Sequence, residues 1–228
     1  DTVVACLSDV PNPNDITATD NCGEVVFSFT DSVADSNCIN NQTITRIFTA
    51  EDQCGNTKSI NQIITVRDTI VPVFTMPTDI TIYKDENCSY NSDSEFTGEV
   101  IDESDNCSIN NATYEDVIDS TNQCNIIIKR TWSLSDDCGN AAENQVQIIT
   151  VKDSTAPTFT VPADLVIYKD SDCNYSADTT FTGDVIDEND NCGVGEAIYT
   201  DFVDSTNLCQ IIIHRTWSLT DNCGNSTN

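Results

Sequence analysis

Basic residues are scarce in this 228-residue chain: nine Lys and Arg stand against 38 Asp and Glu, with a single His, for a formal net charge of −29. So acidic a surface repels phosphate backbones and anionic membrane faces and attracts cations or basic surfaces, which argues against nucleic acid as a partner. Long apolar runs are missing as well. No stretch approaches the ~18 residues of a membrane span, so no membrane insertion is expected, and residues 1 to 30 hold no basic-then-apolar leader pattern. Hydrophobic residues make up 38% of the chain, below the roughly 45–50% usual for globular domains. The helix formers Ala, Leu, Lys and Met are few, and no segment of ten or more residues shows a 3.6-residue period. Also absent are a Cys-x2-Cys knuckle, an HExxH pair, a glycine-rich phosphate loop and a nucleophile motif. No enzymatic activity is expected.

Cysteine, by contrast, is plentiful. Twelve cysteines occur, and their regular placement argues for a disulfide framework rather than disorder, because cross-links let a small domain fold on a thin core. An oxidising, extracellular setting follows. Cysteines 88, 107, 124 and 138 return at 173, 192, 209 and 223, each 85 residues on, and a first set at 6, 22, 38 and 54 keeps the order with different gaps. IIIKRTWSLSDDCGN at 126 to 140 returns as IIIHRTWSLTDNCGN at 211 to 225, and more distantly as TITRIFTAEDQCGN at 43 to 56. The chain therefore reads as three repeats, 1–67, 68–152 and 153–228, jointed at Asp68 and Asp153, with Pro72 and Pro157 stiffening each link. Residue 1 aligns close to Tyr83, so the first repeat is expected to lack most of its opening strand. The third stops before an equivalent of QVQIITVKD at 145 to 153. The parent polypeptide is expected to continue both ways.

Within each repeat, apolar residues alternate or come in β-branched runs: Ile80 and Ile82; Phe96, Val100 and Ile101; Tyr114, Val117 and Ile118; Ile126, Ile128, Trp132 and Leu134; Val146, Ile148, Ile149 and Val151. Loops rich in Asp, Asn, Ser and Gly separate them. This predicts an all-β chain of tandem β-sandwiches of about 85 residues. Asp-x-Cys-Gly-Asn at 52 to 56, 136 to 140 and 221 to 225 marks a hairpin tip, where Gly and Asn supply positive φ.

The layout R-T-W-S-L-x-D-x-C-G-N, then Q-x-I-x-V-x-D, then x-x-x-P-x-F, resembles the HYR-like and other immunoglobulin-like repeats of very large cell-surface proteins of Bacteroidota. These include gliding-motility adhesins exported by the type IX secretion system. The resemblance covers almost the whole chain and implies tandem Ig-like sandwiches in an extended array at the cell surface. The first repeat departs from it, with Phe48 for the tryptophan and Ala50 for the leucine.

Counting strands between cysteines places the first and third of each repeat at one end and the second and fourth at the other. Two disulfides per repeat are expected on that parity: Cys6–Cys38 with Cys22–Cys54, Cys88–Cys124 with Cys107–Cys138, and Cys173–Cys209 with Cys192–Cys223. Two other connectivities of the same four cysteines stay open. Each expected bridge closes a loop of around 30 residues, a constraint of roughly 3–4 kcal/mol in the chain-entropy account. Spacings of 14 to 19 residues disfavour a zinc or iron–sulfur site.

The runs IDESDN and IDENDN are dense in oxygen donors: beside Asn106 and Asn191 they supply the acids Asp102, Glu103 and Asp105, then Asp187, Glu188 and Asp190. The same strand counting brings them to the end that holds Asp68 and Asp153 and the tips with Asp136 and Asp221. These ten are candidate calcium ligands, since calcium takes six to eight hard oxygens in flexible geometry. The bland reading is solvated acidic surface. No cofactor other than calcium is expected.

Asp followed by Ser or Thr and a small or apolar residue makes Ser32, Thr69, Ser120, Ser154, Thr179 and Ser205 candidate glycosylation sites, similar to the O-glycosylation signal of exported Bacteroidota proteins. Trp132 and Trp217 read as core anchors rather than sugar platforms. Arg46, Arg130 and Arg215 read as partly buried ion pairs, and His214 as an exposed strand residue.

The expected function is a structural stalk or filament segment of a secreted, surface-attached adhesin, giving reach and mechanical stability for attachment or gliding. Its partners would be adjacent repeats of the same long chain. The alternative is an adhesive module that binds surface glycans or other cell-envelope proteins. A further option is the accessory region of a secreted hydrolase.

Overall fold

A computed structural model describes every residue except 22, 35, 36, 208 and 209. Period-2 burial organises the strands. The run β1 (Thr2–Val4), β2 (Val26–Val33), β3 (Asn41–Glu51) and β4 (Thr57–Arg67) forms one sheet in the order β1-β4-β3-β2. It is antiparallel except where β1 lies parallel to β4. Along β3, Ile44, Arg46 and Phe48 face inward, as alternation requires of a half-buried strand. Then come β5 (Val73–Thr75), β6 (Ile80–Tyr83), a helical turn α1 (Ser94–Thr97), β7 (Ile101–Ser104), β8 (Thr113–Asp119), β9 (Asn125–Ser133) and β10 (Gln145–Lys152). Here β6-β10-β9-β8 repeats the first sheet's order, and β5 pairs with β7. The third repeat supplies β11 (Thr158–Thr160), α2 (Thr179–Thr182), β12 (Ile186–Asn189), β13 (Ile198–Asp204), β14 (Ile212–Thr220) and β15 (Ser226–Thr227). The architecture is all-β, made of disulfide-stapled, Ig-like sandwich repeats.

The chain packs as two compact units that cut across the three repeats. One holds residues 1–78, 98–116 and 129–147, and the other holds residues 79–97, 117–128 and 148–228. Repeat and compact unit are thus different objects here: each unit contains one whole repeat joint. In the first, Ile44, Ile64 and Val66 bury against Val4, Leu7 and Val10, while Phe74 of β5 packs on Trp132 and Leu134. In the second, Ile126, Ile128, Ile149 and Val151 bury against Ile80, Ile82 and Tyr90. These cores are small, which leaves much of the stabilisation to covalent and polar cross-links.

Three readings of the sequence need correction. Asp1 accepts from the Ile63 amide (3.1 Å) as Asp79 does from Ile148 (2.8 Å), and β1 meets Ile64–Val66 as β6 meets Ile149–Lys152. Residue 1 therefore corresponds to Asp79, not Tyr83, and the first repeat holds the counterpart of β6. Aligning on cysteine hid this, because the loop ahead of Cys6 is four residues shorter than the one ahead of Cys88. Phe96 is not in a strand but in the turn α1, 64% exposed. At the hairpin tips only the glycines Gly55, Gly139 and Gly224 take positive φ (+84°, +87° and +92°). The following asparagine acts through its side chain, as when Asn56 Nδ2 donates to Asp52.

Candidate functional site at the repeat joints

Disulfides run between repeats, not within them. Cys6 bonds Cys107 and Cys38 bonds Cys138 in the first unit; Cys88 bonds Cys192 and Cys124 bonds Cys223 in the second. Their Cα atoms lie 4.9–5.3 Å apart, inside the span a disulfide needs. The rule is uniform: the first cysteine of a repeat joins the second of the next, and the third joins the fourth of the next. The expected pairs Cys6–Cys38, Cys88–Cys124, Cys107–Cys138 and Cys192–Cys223 are therefore wrong. Strand parity correctly groups first with third and second with fourth, since one strand separates each successive pair of cysteines in the second repeat. What it cannot say is whose cysteines meet at a shared end. Cys54 and Cys173 are exposed and free, and their expected partners Cys22 and Cys209 lie outside the described residues.

Each bridge lands on one of two loops that also carry the acidic candidates. Asp52, Asp136 and Asp221 organise their hairpin tips identically. Asp221 Oδ1 accepts from the amides of Cys223 and Asn225, both at 2.8 Å, and Oδ2 accepts from Asn225 Nδ2 at 2.7 Å. Burial pushes the Asp221 carboxyl up, but hydrogen bonds from Asn225, Cys223 and Gly224 outweigh it and hold the carboxyl below its ordinary value. Asp52 is lowered too, chiefly by the Asn56 side chain.

Among the described residues, two groups of possible ligand atoms come together, each within 4.8 Å: Asp153, Asp190 and Asp221 in the second unit, and Asp68, Asp105 and Cys107 in the first. Cys107 is tied to Cys6, so its sulfur is no thiolate and the first group offers two carboxylates. Asp190 Oδ2 accepts from the Cys192 amide (2.7 Å), and Asp153 Oδ1 accepts from the Thr155 amide (3.1 Å). Asp105 Oδ2 accepts from Cys107 (2.8 Å), while Asp68 Oδ1 accepts from Ile70 and from Asn106 Nδ2, both at 3.2 Å. The second oxygen of each of these four carboxylates is sealed from solvent and has no hydrogen-bond partner.

The other candidates stay out. Asp102, Glu103, Asp187 and Glu188 are exposed on β7 and β12. Asp102 and Asp187 take φ of +57° and +58°, where the pairing of β5 with β7 and of β11 with β12 shifts register. The bulge leaves both acids unpaired on the exposed strand, and it is the loop beyond that carries Asp105 and Asp190 to the joint. Asp136 is buried and held at its tip through Cys138 and Asn140 as Asp221 is at its own, but among the described residues it joins neither group of ligand atoms. Asn191, the asparagine that ends the run IDENDN, has an Oδ1 that is also buried and unpartnered, while its Nδ2 donates to the Asp85 carbonyl (2.8 Å).

Of the candidate glycosylation sites, Ser32, Thr69, Ser120, Ser154 and Ser205 are exposed and Thr179 is half-buried at the start of α2. Trp132 and Trp217 are buried, as is Phe48. Arg46, Arg130 and Arg215 pair with Asp31, Asp116 and Asp201 at 2.7–2.8 Å. Arg130 and Arg215 also stack on Tyr114 and Tyr199, each 4.0 Å from the ring centre. His214 is exposed on β14.

Residues 1–66, which hold Cys6, Cys22, Cys38 and Cys54, match a family model described as an HYR-like domain with 4 cysteines. The chain thus carries an HYR-like repeat. No curated protein matches it. No helix among the described residues is long and apolar enough to cross a membrane.

Proposed function

We propose that this chain is a load-bearing segment of a secreted, surface-attached adhesin, in which each repeat is riveted to the next by two disulfides. The carrying observation is the covalent path opened by the bridges. A pull between the ends runs from Asp1 to Cys6, crosses to Cys107, follows the chain to Cys124, crosses to Cys223 and leaves at Asn228. The rest of the polypeptide hangs off that path and need not carry force. A binding module needs no such wiring, whereas a tether exposed to pull and to proteases does.

The unpaired cysteines support the same reading. Cys173 takes φ +61° and Cys88 +58°. Asp170 caps the loop of Cys173 through Asp172 and Asn174 as Asp85 caps that of Cys88 through Asn87 and Ser89. Cys173 is therefore presented like a bridged cysteine, and the pairing rule assigns it the second cysteine of a following repeat. By the same rule Cys54, on the same tip as bridged Cys138 and Cys223, takes the third cysteine of a preceding repeat. Repeats of this kind, rich in disulfides, belong outside the cell. The likeness to Bacteroidota gliding adhesins, type IX export and glycosylation belongs to this proposal.

The test is a protease site placed at Ile70 and Val71, both about half exposed. After cleavage, denaturing gels without reductant should show one full-length band that splits only when thiol is added. Two bands without reductant would mean that the repeats are not riveted, and the tether reading would fall.

A further inference from the structure

The geometry points to a calcium-binding site formed by Asp153, Asp190 and Asp221, with a weaker two-carboxylate counterpart at Asp68 and Asp105; we infer both independently of any load-bearing role. An acidic cluster alone would mean little in a chain of net charge −29. The independent observation is what happens to the oxygens. Asp153 is 8% exposed and Asp68 5%, yet Asp153 Oδ2, Asp190 Oδ1, Asp68 Oδ2 and Asp105 Oδ1 have neither water access nor a donor. Burying a carboxylate oxygen without either is costly, and a cation bound against it offsets that cost. The ion pairs identified here use other acids, Asp31, Asp116 and Asp201.

Distance selects the kind of ion. The ligand atoms of each group lie within 4.8 Å of one another, no more than twice a calcium–oxygen bond of about 2.4 Å, which is the spacing that ligands sharing one ion require. Every available donor is a hard oxygen, and zinc would call for imidazole or thiolate. The one histidine is exposed on β14, and Cys107 and Cys192 are in disulfides. Magnesium demands a tighter octahedron and retains its water, whereas calcium accepts irregular loop ligands. An open cleft of ≈ 370 Å³, lined among others by Asp190, Asn191, Thr155 and Lys84, brings solvent to the edge of the three-carboxylate site. Recurrence at the equivalent joint argues against coincidence. Three charges against two set the order of affinity.

The experiment uses the whole chain, freed of metal with chelator and dialysed into 150 mM KCl with excess magnesium. Calcium binding is followed by equilibrium dialysis with elemental analysis, and terbium luminescence serves as a second probe. One tight site and one weaker site are expected, with a melting temperature that rises with calcium. Asp153→Asn and Asp190→Asn keep side-chain volume and should weaken the tight site at least tenfold. Asp105→Asn should affect only the weak one, and the exposed Asp187→Asn neither. No bound calcium at millimolar concentration in the unaltered chain, with a melting temperature unmoved by chelator, overturns the inference whether or not the variants fold. Equal loss on Asp187→Asn overturns it too, by showing diffuse charge rather than a site.

Discussion

Pulling the oxidised chain by its ends puts tension on roughly 30 residues, because the bridges short-circuit the remainder. At about 3.4 Å per extended residue, the fully stretched path is about 100 Å, against about 780 Å for the reduced chain. Pairing within repeats would leave roughly 125 residues on the path, or about 420 Å. Single-molecule force spectroscopy on the chain, held by tags at both ends, separates these lengths easily. Without reductant, little or no contour length should be released as the repeats give way. With reductant, several hundred ångströms should appear. Replacing Cys6 and Cys107 by serine reroutes the load through Cys38–Cys138 and should lengthen the path to about 200 Å. The same replacement should cost about 4 kcal/mol, since the lost bridge closes a ring of roughly 60 residues in the presence of its neighbour. An oxidised chain that extends beyond about 400 Å would refute the wiring.

Arg130 is 1% exposed and forked onto Asp116, so Asp116→Asn removes the carboxylate that balances a buried guanidinium and should lower stability by about 3 kcal/mol in urea titration; no change would mean that the other contacts of Arg130, the stack on Tyr114 among them, suffice to hold it. The arginine partners also set a pH dependence. Hydrogen bonding to Arg46, partly offset by burial, holds Asp31 below its ordinary value of 3.8. A lowered folded value means that the ionised pair stabilises the fold above about pH 4 and loses that contribution as pH falls through the folded value. Asp31→Asn should therefore be less stable than the unaltered chain at pH 7, and the gap should close towards pH 2. The gap is the proper readout, because acid also relieves the repulsion among 38 acidic residues.

Much of the fold was legible in local chemistry. Alternation along NQTITRIFTAE and NIIIKRTWS marks β3 and β9, with Arg46, Phe48, Arg130 and Trp132 on the inward face. The pairing of those arginines with acids, the tips at Asp-x-Cys-Gly-Asn and the repeat period needed only neighbours in sequence. The convergence of Asp153 with Asp190 and Asp221 was also within reach, because strand parity tells which loops share an end. Asp102, Glu103, Asp187 and Glu188 were misplaced because the bulge in β7 and β12 has no letter pattern of its own: a left-handed aspartate is decided by strand pairing.

From the order of residues alone came the class of fold, the cross-linked character, the surface setting and the set of acids to watch. Partnership of the cysteines belonged to tertiary structure. Cys107 is 17 residues from Cys124 but bonds Cys6, 101 residues away, and no local periodicity encodes that choice. Two repeats with identical letters present identical ends, so a sequence cannot distinguish a bond to a repeat's own cysteine from a bond to its neighbour's. Only the pairing of β5 with β7 and of β11 with β12, just past each joint, brings the loops there, and it buries Pro72, Phe74 and Pro157.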